Sequence, residues 1–128
     1  MMCPFSSAIV KNTLFPIEHP ALRVLYNSIT MRFEWDSEKN RRNQAKHDGL
    51  DFETAARVFN DPHLILAKDR VVEGEQRWHA IGTVSGAVLL VVHTGYEDDE
   101  NGEEVIRIIS AREADQRERR IYIQQAAE

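Results

Sequence analysis

The chain has 128 residues, a formal net charge of −5, and 42% hydrophobic and 29% charged residues, values ordinary for one folded domain and incompatible with disorder throughout. Its single cysteine, Cys3, excludes an internal disulfide and favours the cytoplasm. No apolar run approaches the ~20 residues that cross a bilayer, because Gly82, Ser85 and Gly86 interrupt the most apolar stretch. The negative charge argues against a globally basic nucleic-acid binder, but its distribution is uneven. Glu97 to Glu104 holds six acids and no base, which alone exceeds the net charge.

Residues 1–30 read as a poorly ordered N-terminal extension, since Pro4, Pro16 and Pro20 break a stretch without sustained period. Lys11 and the prolines also interrupt every candidate secretory signal. A domain over residues 31–128 follows. It opens with "FEW", a short strand or anchor that gives Phe33 and Trp35 to a core. Asp36 then caps a helix from about Ser37 to His47 that ends at Gly49, and Asp51 caps a second over "FETAARVF", stopped by Asp61-Pro62. Four stretches rich in Val, Ile and Leu read as strands: "HLILA", "RWHAIGTV", "AVLLVVHT" and "EVIRIIS". Ser85-Gly86 forms a hairpin turn between the middle two. A last helix runs from about Arg112 or Glu113 to Gln125. The expected fold class is α+β, in the order α-α-β-β-β-β-α, with an antiparallel sheet of about four strands.

The chain lacks the P-loop and dinucleotide-binding glycine patterns, H-E-x-x-H, paired cysteines and G-x-S-x-G, so nothing points to a nucleotide, a metal or a serine nucleophile. Arginines and histidines remain. Strand alternation puts Arg77, His79, Ile81 and Thr83 on one face of "RWHAIGTV", with Trp78, Ala80, Gly82 and Val84 on the other. Arg107, between Ile106 and Ile108, must be paired or exposed. It suits phosphate recognition, since a guanidinium offers paired donors to two oxygens, or an ion pair to Glu73, Glu75 or Glu104. Arg107 and Arg112 are five residues apart, so a regular strand would separate them, and they converge only if the backbone turns near Ser110-Ala111. His93 reads as a general base or a structural histidine. Trp78 and Tyr122 read as base-stacking platforms or core residues. Ile121, Tyr122 and Ile123, clustered near the end of the last helix, form an expected partner surface.

The stretches "FEWDSEKNRRNQAKHDGLDFETAARVF", "GEQRWHAIG", "LLVVHT" and "RIISAREADQRERRIY" resemble the BrnT toxins of bacterial type II toxin–antitoxin systems, from Met31 to about Tyr122. The resemblance implies a RelE-like fold and a metal-independent ribonuclease that needs no cofactor and inhibits translation. A cognate BrnA-like antitoxin masks it, and DNA is reached only through that antitoxin. It also implies catalytic or substrate roles for Arg77, Arg107 and Arg112, with Lys46, His47, Glu75, Trp78 and His93 as further candidates. Two other classes stay open: a non-catalytic antitoxin-binding subunit of the same fold, and a nucleic-acid-binding regulator. The second lacks an evident helix-turn-helix.

Overall fold

A computed structural model describes residues 5–10, 31–98 and 102–127. Strand β1 (Phe5–Val10) and β2 (Met31–Asp36) lead into helix α1 (Ser37–Lys46) and the short α2 (Phe52–Ala56), which tightens into a 3-10 turn at Arg57–Asn60. Strands β3 (Ile65–Val72), β4 (Glu75–Val84), β5 (Ala87–Asp98) and β6 (Glu103–Glu113) follow, and helix α3 (Gln116–Ala126) completes the domain. They form one six-stranded sheet in the order β1-β2-β6-β5-β4-β3.

The class is mixed α+β, as expected, but the sheet is larger than the four strands foreseen. "FEW" belongs to a full strand, β2, which pairs in parallel with β6 from Met31 with Glu104 to Trp35 with Ile108. All other neighbours are antiparallel. Along β2 the residues flanking Phe33 and Trp35 are charged, a pattern equally compatible with a lone anchor, so only the distant partner β6 defines the strand. Most of the expected extension lies outside the described residues; within it, Phe5–Val10 pairs with β2.

Local chemistry sets the boundaries. Asp36 caps α1 by accepting from the backbone N–H groups of Glu38 and Lys39 at 2.8 and 3.3 Å. Asp51 caps α2 through Thr54 N at 2.7 Å. The hairpin β4–β5 turns at Ser85 (φ 50°) and Gly86 (φ 85°), and β3–β4 at Glu73 (φ 52°) and Gly74 (φ 79°). Two successive positive φ values match the right-handed strand twist. The last helix begins later than expected, because Asp115 and Glu118 form a reciprocal capping box and β6 continues to Glu113.

Side chains alternate between two packed layers. Toward α1, α2 and the 3-10 turn lie Phe33, Trp35, Phe52, Val58, Phe59, Leu89, Val91, Ile106 and Ile108. Toward α3 lies a smaller cluster of Ile81, Val88, Leu90, Ala114 and Tyr122. α3 therefore covers only one end of its face.

Tyr122 anchors that helix. Expected on the partner surface, it is instead 7% exposed, and its hydroxyl donates to Asp61, which also accepts from Thr83 N at 2.8 Å and Thr83 Oγ1 at 3.0 Å. The phenol ring completes the small core while its polar end meets a carboxylate, so burial is favoured at both ends. Burial alone would raise the Asp61 pKa, but hydrogen bonds from Tyr122, His63 N–H and Thr83 outweigh it and lower the value from 3.8. Tyr122→Phe should therefore cost about 1–2 kcal/mol in urea unfolding at neutral pH. A depressed carboxylate contributes above its unfolded pKa and loses that contribution as pH falls through the folded value, so the gap between variant and parent should narrow below about pH 4. An unchanged gap at pH 3 would disprove the link to Asp61.

Candidate functional site

Beyond the part covered by α3, the same sheet face carries charged and polar side chains. Arg107 pairs with Thr94 across the β5–β6 ladder, and one step past the last β4–β5 ladder pair, Trp78 with His93, the register sets Arg77 beside Thr94. The arginines of two strands thus flank one threonine. Thr94 is 1% exposed, and its hydroxyl and the Nε of Arg77 are buried without a hydrogen bond among the described residues. Glu75, two residues from Arg77 on the same strand face, reaches Arg107 with an Oε2–Nη1 separation of 3.8 Å. Arg107 also stands opposite Glu34 in the parallel ladder.

The five-residue interval between Arg107 and Arg112 is reconciled by a β-bulge. The ladder steps from Val92 with Ser110 to His93 with Ile108, so Ile109 has no partner on β5. One extra residue restores the parity that an odd interval destroys. Arg107 then faces Thr94 and Arg112 faces Leu90, and these β5 positions, four apart, share a side. The expected change of direction near Ser110-Ala111 is present, one residue earlier and as a bulge.

Asn43 braces the bulged strand. β2 accompanies β6 only as far as Ile108, leaving the backbone of Ala111 facing α1. There the carboxamide of Asn43, 7% exposed, donates to Ala111 O at 2.8 Å and accepts from Ala111 N at 3.1 Å. It acts as one peptide unit of an absent strand, satisfying both backbone groups. The same amide nitrogen donates to Leu50 O at 3.1 Å, tying down the α1–α2 connection.

The remaining expected residues are distributed differently. Arg112 faces the same side as Arg107, but its fork is taken by Glu118, with Nη1–Oε1 2.7 Å and Nη2–Oε2 2.9 Å. Hydrogen bonding to Glu118 raises the Arg112 pKa and, reciprocally, lowers that of Glu118. His93, expected as a possible base, lies on the opposite face, edge-on to Phe59 at 5.0 Å and 4% exposed. Burial pushes its pKa down to about 4, and the sheet separates it from the arginines. The physical reason is strand alternation: His93 follows Val91 and Leu89 into the larger core. Trp78 is also on that face, with the Lys68 ammonium 5.9 Å from its ring centroid. Lys46 and His47 line a separate groove of about 590 Å³ between the α1–α2 turn and the β4–β5 turn, with Arg57 and Arg112 also on its wall. Ile121 and Ile123 are exposed, at 38% and 56%.

Three neighbours of these arginines were not among the expected site residues: Thr94, Glu118 and His79, the last read only as sharing the face of Arg77. The alternation of β4 had placed His79 with Arg77, which was the available signal. Its partner Asp69, with Nε2–Oδ2 at 3.1 Å, comes from another strand and left no local trace. No group of three or more His, Cys, Asp or Glu side chains among the described residues is placed to hold a metal, and no helix there is long and apolar enough to cross a membrane.

Fold and site together define a small α+β domain with two partly exposed arginines, Arg77 and Arg107, on one face of its sheet. The family model of the ribonuclease toxin, BrnT, of type II toxin–antitoxin systems matches residues 35–118, and the chain belongs to that family. Membership implies a toxin ribonuclease with a protein antitoxin as its partner. No curated protein matches the chain.

Proposed function

We propose that the chain is a metal-independent, RelE-like endoribonuclease that cleaves RNA at the face carrying Arg77 and Arg107, acting in the cytoplasm to inhibit translation. The observation that carries this reading is the meeting of the two arginines over Thr94, with Arg112 brought to the same face by the β6 bulge. When a ribose 2′-hydroxyl attacks the adjacent phosphate, negative charge builds on the phosphoryl oxygens, and fixed guanidinium donors stabilise it without reorganisation. Glu75 holds Arg107 in place. Arg112, engaged by Glu118, supports the site by fixing the β6–α3 junction. Lys46 and His47 contact RNA beyond the scissile phosphate. A BrnA-like antitoxin covers the exposed Ile121 and Ile123, and DNA is bound only through it.

The test is cleavage of a defined RNA by the purified chain in excess chelator. Fragments ending in a 2′,3′-cyclic phosphate, and their disappearance when the antitoxin is added, are the expected result. Cleavage that stops in chelator and returns with magnesium would overturn metal independence. The engagement of Arg112 by Glu118 favours one alternative, a non-catalytic antitoxin-binding subunit. That reading predicts a tight antitoxin complex and intact RNA under all these conditions.

A further inference from the structure

We infer that His79, oriented by Asp69, accepts the proton of the ribose 2′-hydroxyl during this cleavage. The inference rests on the ribonuclease reading and assigns it a base. His79 lies two residues from Arg77 on the open face, paired with Val92 on β5 and Ala67 on β3. The ladder pair of Arg107 with Thr94 lies two residues further along β5. Ala67 is small, so that flank of the imidazole is unobstructed by a long side chain. The ring is partly exposed, at 32%, unlike the enclosed His93.

The Asp69 contact gives the ring its direction. β3 loses regular register between Lys68 and Val71, and Asp69, within that irregularity, meets His79 Nε2 at 3.1 Å. A backbone N–H from Arg70 and the charge of His79 help keep the Asp69 carboxyl below its usual range. A carboxylate on Nε2–H fixes the neutral tautomer in which Nδ1 is the acceptor, the same role an aspartate plays for catalytic histidines elsewhere. The titratable and charged groups around the ring are Asp69 on β3, Arg77 on β4, His93 on β5 across the sheet, Arg112 on β6 and Glu118 on α3; His93 and Glu118 both sense the charge of His79.

The step balances without an oxidant or a cofactor. The 2′-O–H bond breaks with its proton passing to His79 Nδ1, the O2′–P bond forms, and the P–O5′ bond breaks. The departing 5′-oxygen takes a proton from water, and the imidazolium returns its proton to the hydroxide so formed. The products are a 2′,3′-cyclic phosphate and a 5′-hydroxyl.

The experiment measures single-turnover cleavage of one RNA oligonucleotide in chelator across pH. In the parent, the rate should rise with pH along an acid limb, the kinetic signature of a general base. His79→Gln should lower the rate about a hundredfold, the usual share of a positioned base, and should abolish that limb while Asp69, Arg77, Arg112 and Glu118 remain. Added imidazole should restore part of the rate to His79→Ala. Asp69→Asn, at a partly exposed position on the edge strand β3, should lower kcat with little change in KM, and it serves as the test if His79 variants fail to fold. Parent-like rates and an intact acid limb in folded His79→Gln, or a parent-like kcat in Asp69→Asn, would overturn the assignment while leaving the ribonuclease reading intact. A parent chain that leaves RNA intact would remove both.

Discussion

Arg107→Ala is expected to cleave RNA on the order of a hundredfold more slowly than the parent, or worse, as removal of one preorganised charge-stabilising donor commonly does. Its ion pair with Glu75, at 3.8 Å between side chains 29% and 49% exposed, contributes about 1 kcal/mol or less to stability. Loss of that pair by itself should affect folding little beside the effect on rate. Glu34, opposite Arg107 and 8% exposed, makes Arg107→Lys the informative companion. Lysine keeps a positive charge near both carboxylates, yet it should rescue cleavage poorly because an ammonium cannot present two parallel donors to a phosphate. Arg77→Ala should resemble Arg107→Ala, and the double variant should lose less than the product of the two losses, since both act on one developing charge. Arg112→Ala should differ: it releases Glu118 and loosens α3, so thermal stability should fall together with activity. Single-turnover rates paired with circular-dichroism melts distinguish these patterns. A folded Arg107→Ala protein that cleaves at the parent rate would return Arg107 to the role of an ordinary surface ion-pair partner.

Asn43→Leu should destabilise the domain by about 3 kcal/mol, although it leaves the volume of a nearly buried side chain almost unchanged. Leucine strands the N–H and C=O of Ala111 and removes the donor to Leu50 O, three interactions that one carboxamide supplies. Buried backbone groups left without partners cost far more than the average net hydrogen bond contributes. The consequence extends to function, because Ala111 immediately follows the bulge that aligns Arg107 with Arg112. The fraction that remains folded should therefore also cleave RNA more slowly. Urea unfolding at 25 °C checks the first expectation and single-turnover cleavage below the transition checks the second. A loss under 1 kcal/mol would show that β6 keeps its shape without this brace.

Much of this architecture is written in short-range chemistry. Asp36, Asp51 and Gly49 act within one helical turn, and Ser85-Gly86 within one hairpin, so their signals are complete in a few adjacent residues. Alternation within β4 likewise separated Arg77 and His79 from Trp78 and Ala80, because the side-chain period of a strand is a local property. The motif stretches from Met31 to Tyr122 resembled the family to which residues 35–118 belong.

Tertiary structure decided what depends on residues far apart in the chain. β2 becomes a strand by lying parallel to β6, some seventy positions away, and no local period encodes that pairing. Arg107 and Arg112 share a face because one residue of β6 is passed over opposite β5, and register between two strands belongs to neither alone. Arg112 is engaged because the capping residue of α3 turns back onto it. Tyr122 and His93 were ambiguous for the same reason: an aromatic or imidazole ring suits a core, a partner surface or a catalytic site equally well. The choice was made by Asp61, reaching Tyr122 from sixty-one residues away, and by Phe59, packed against His93. The sequence alone determined which polar and charged side chains were available to a site; the pairing of distant strands determined which of them share a face.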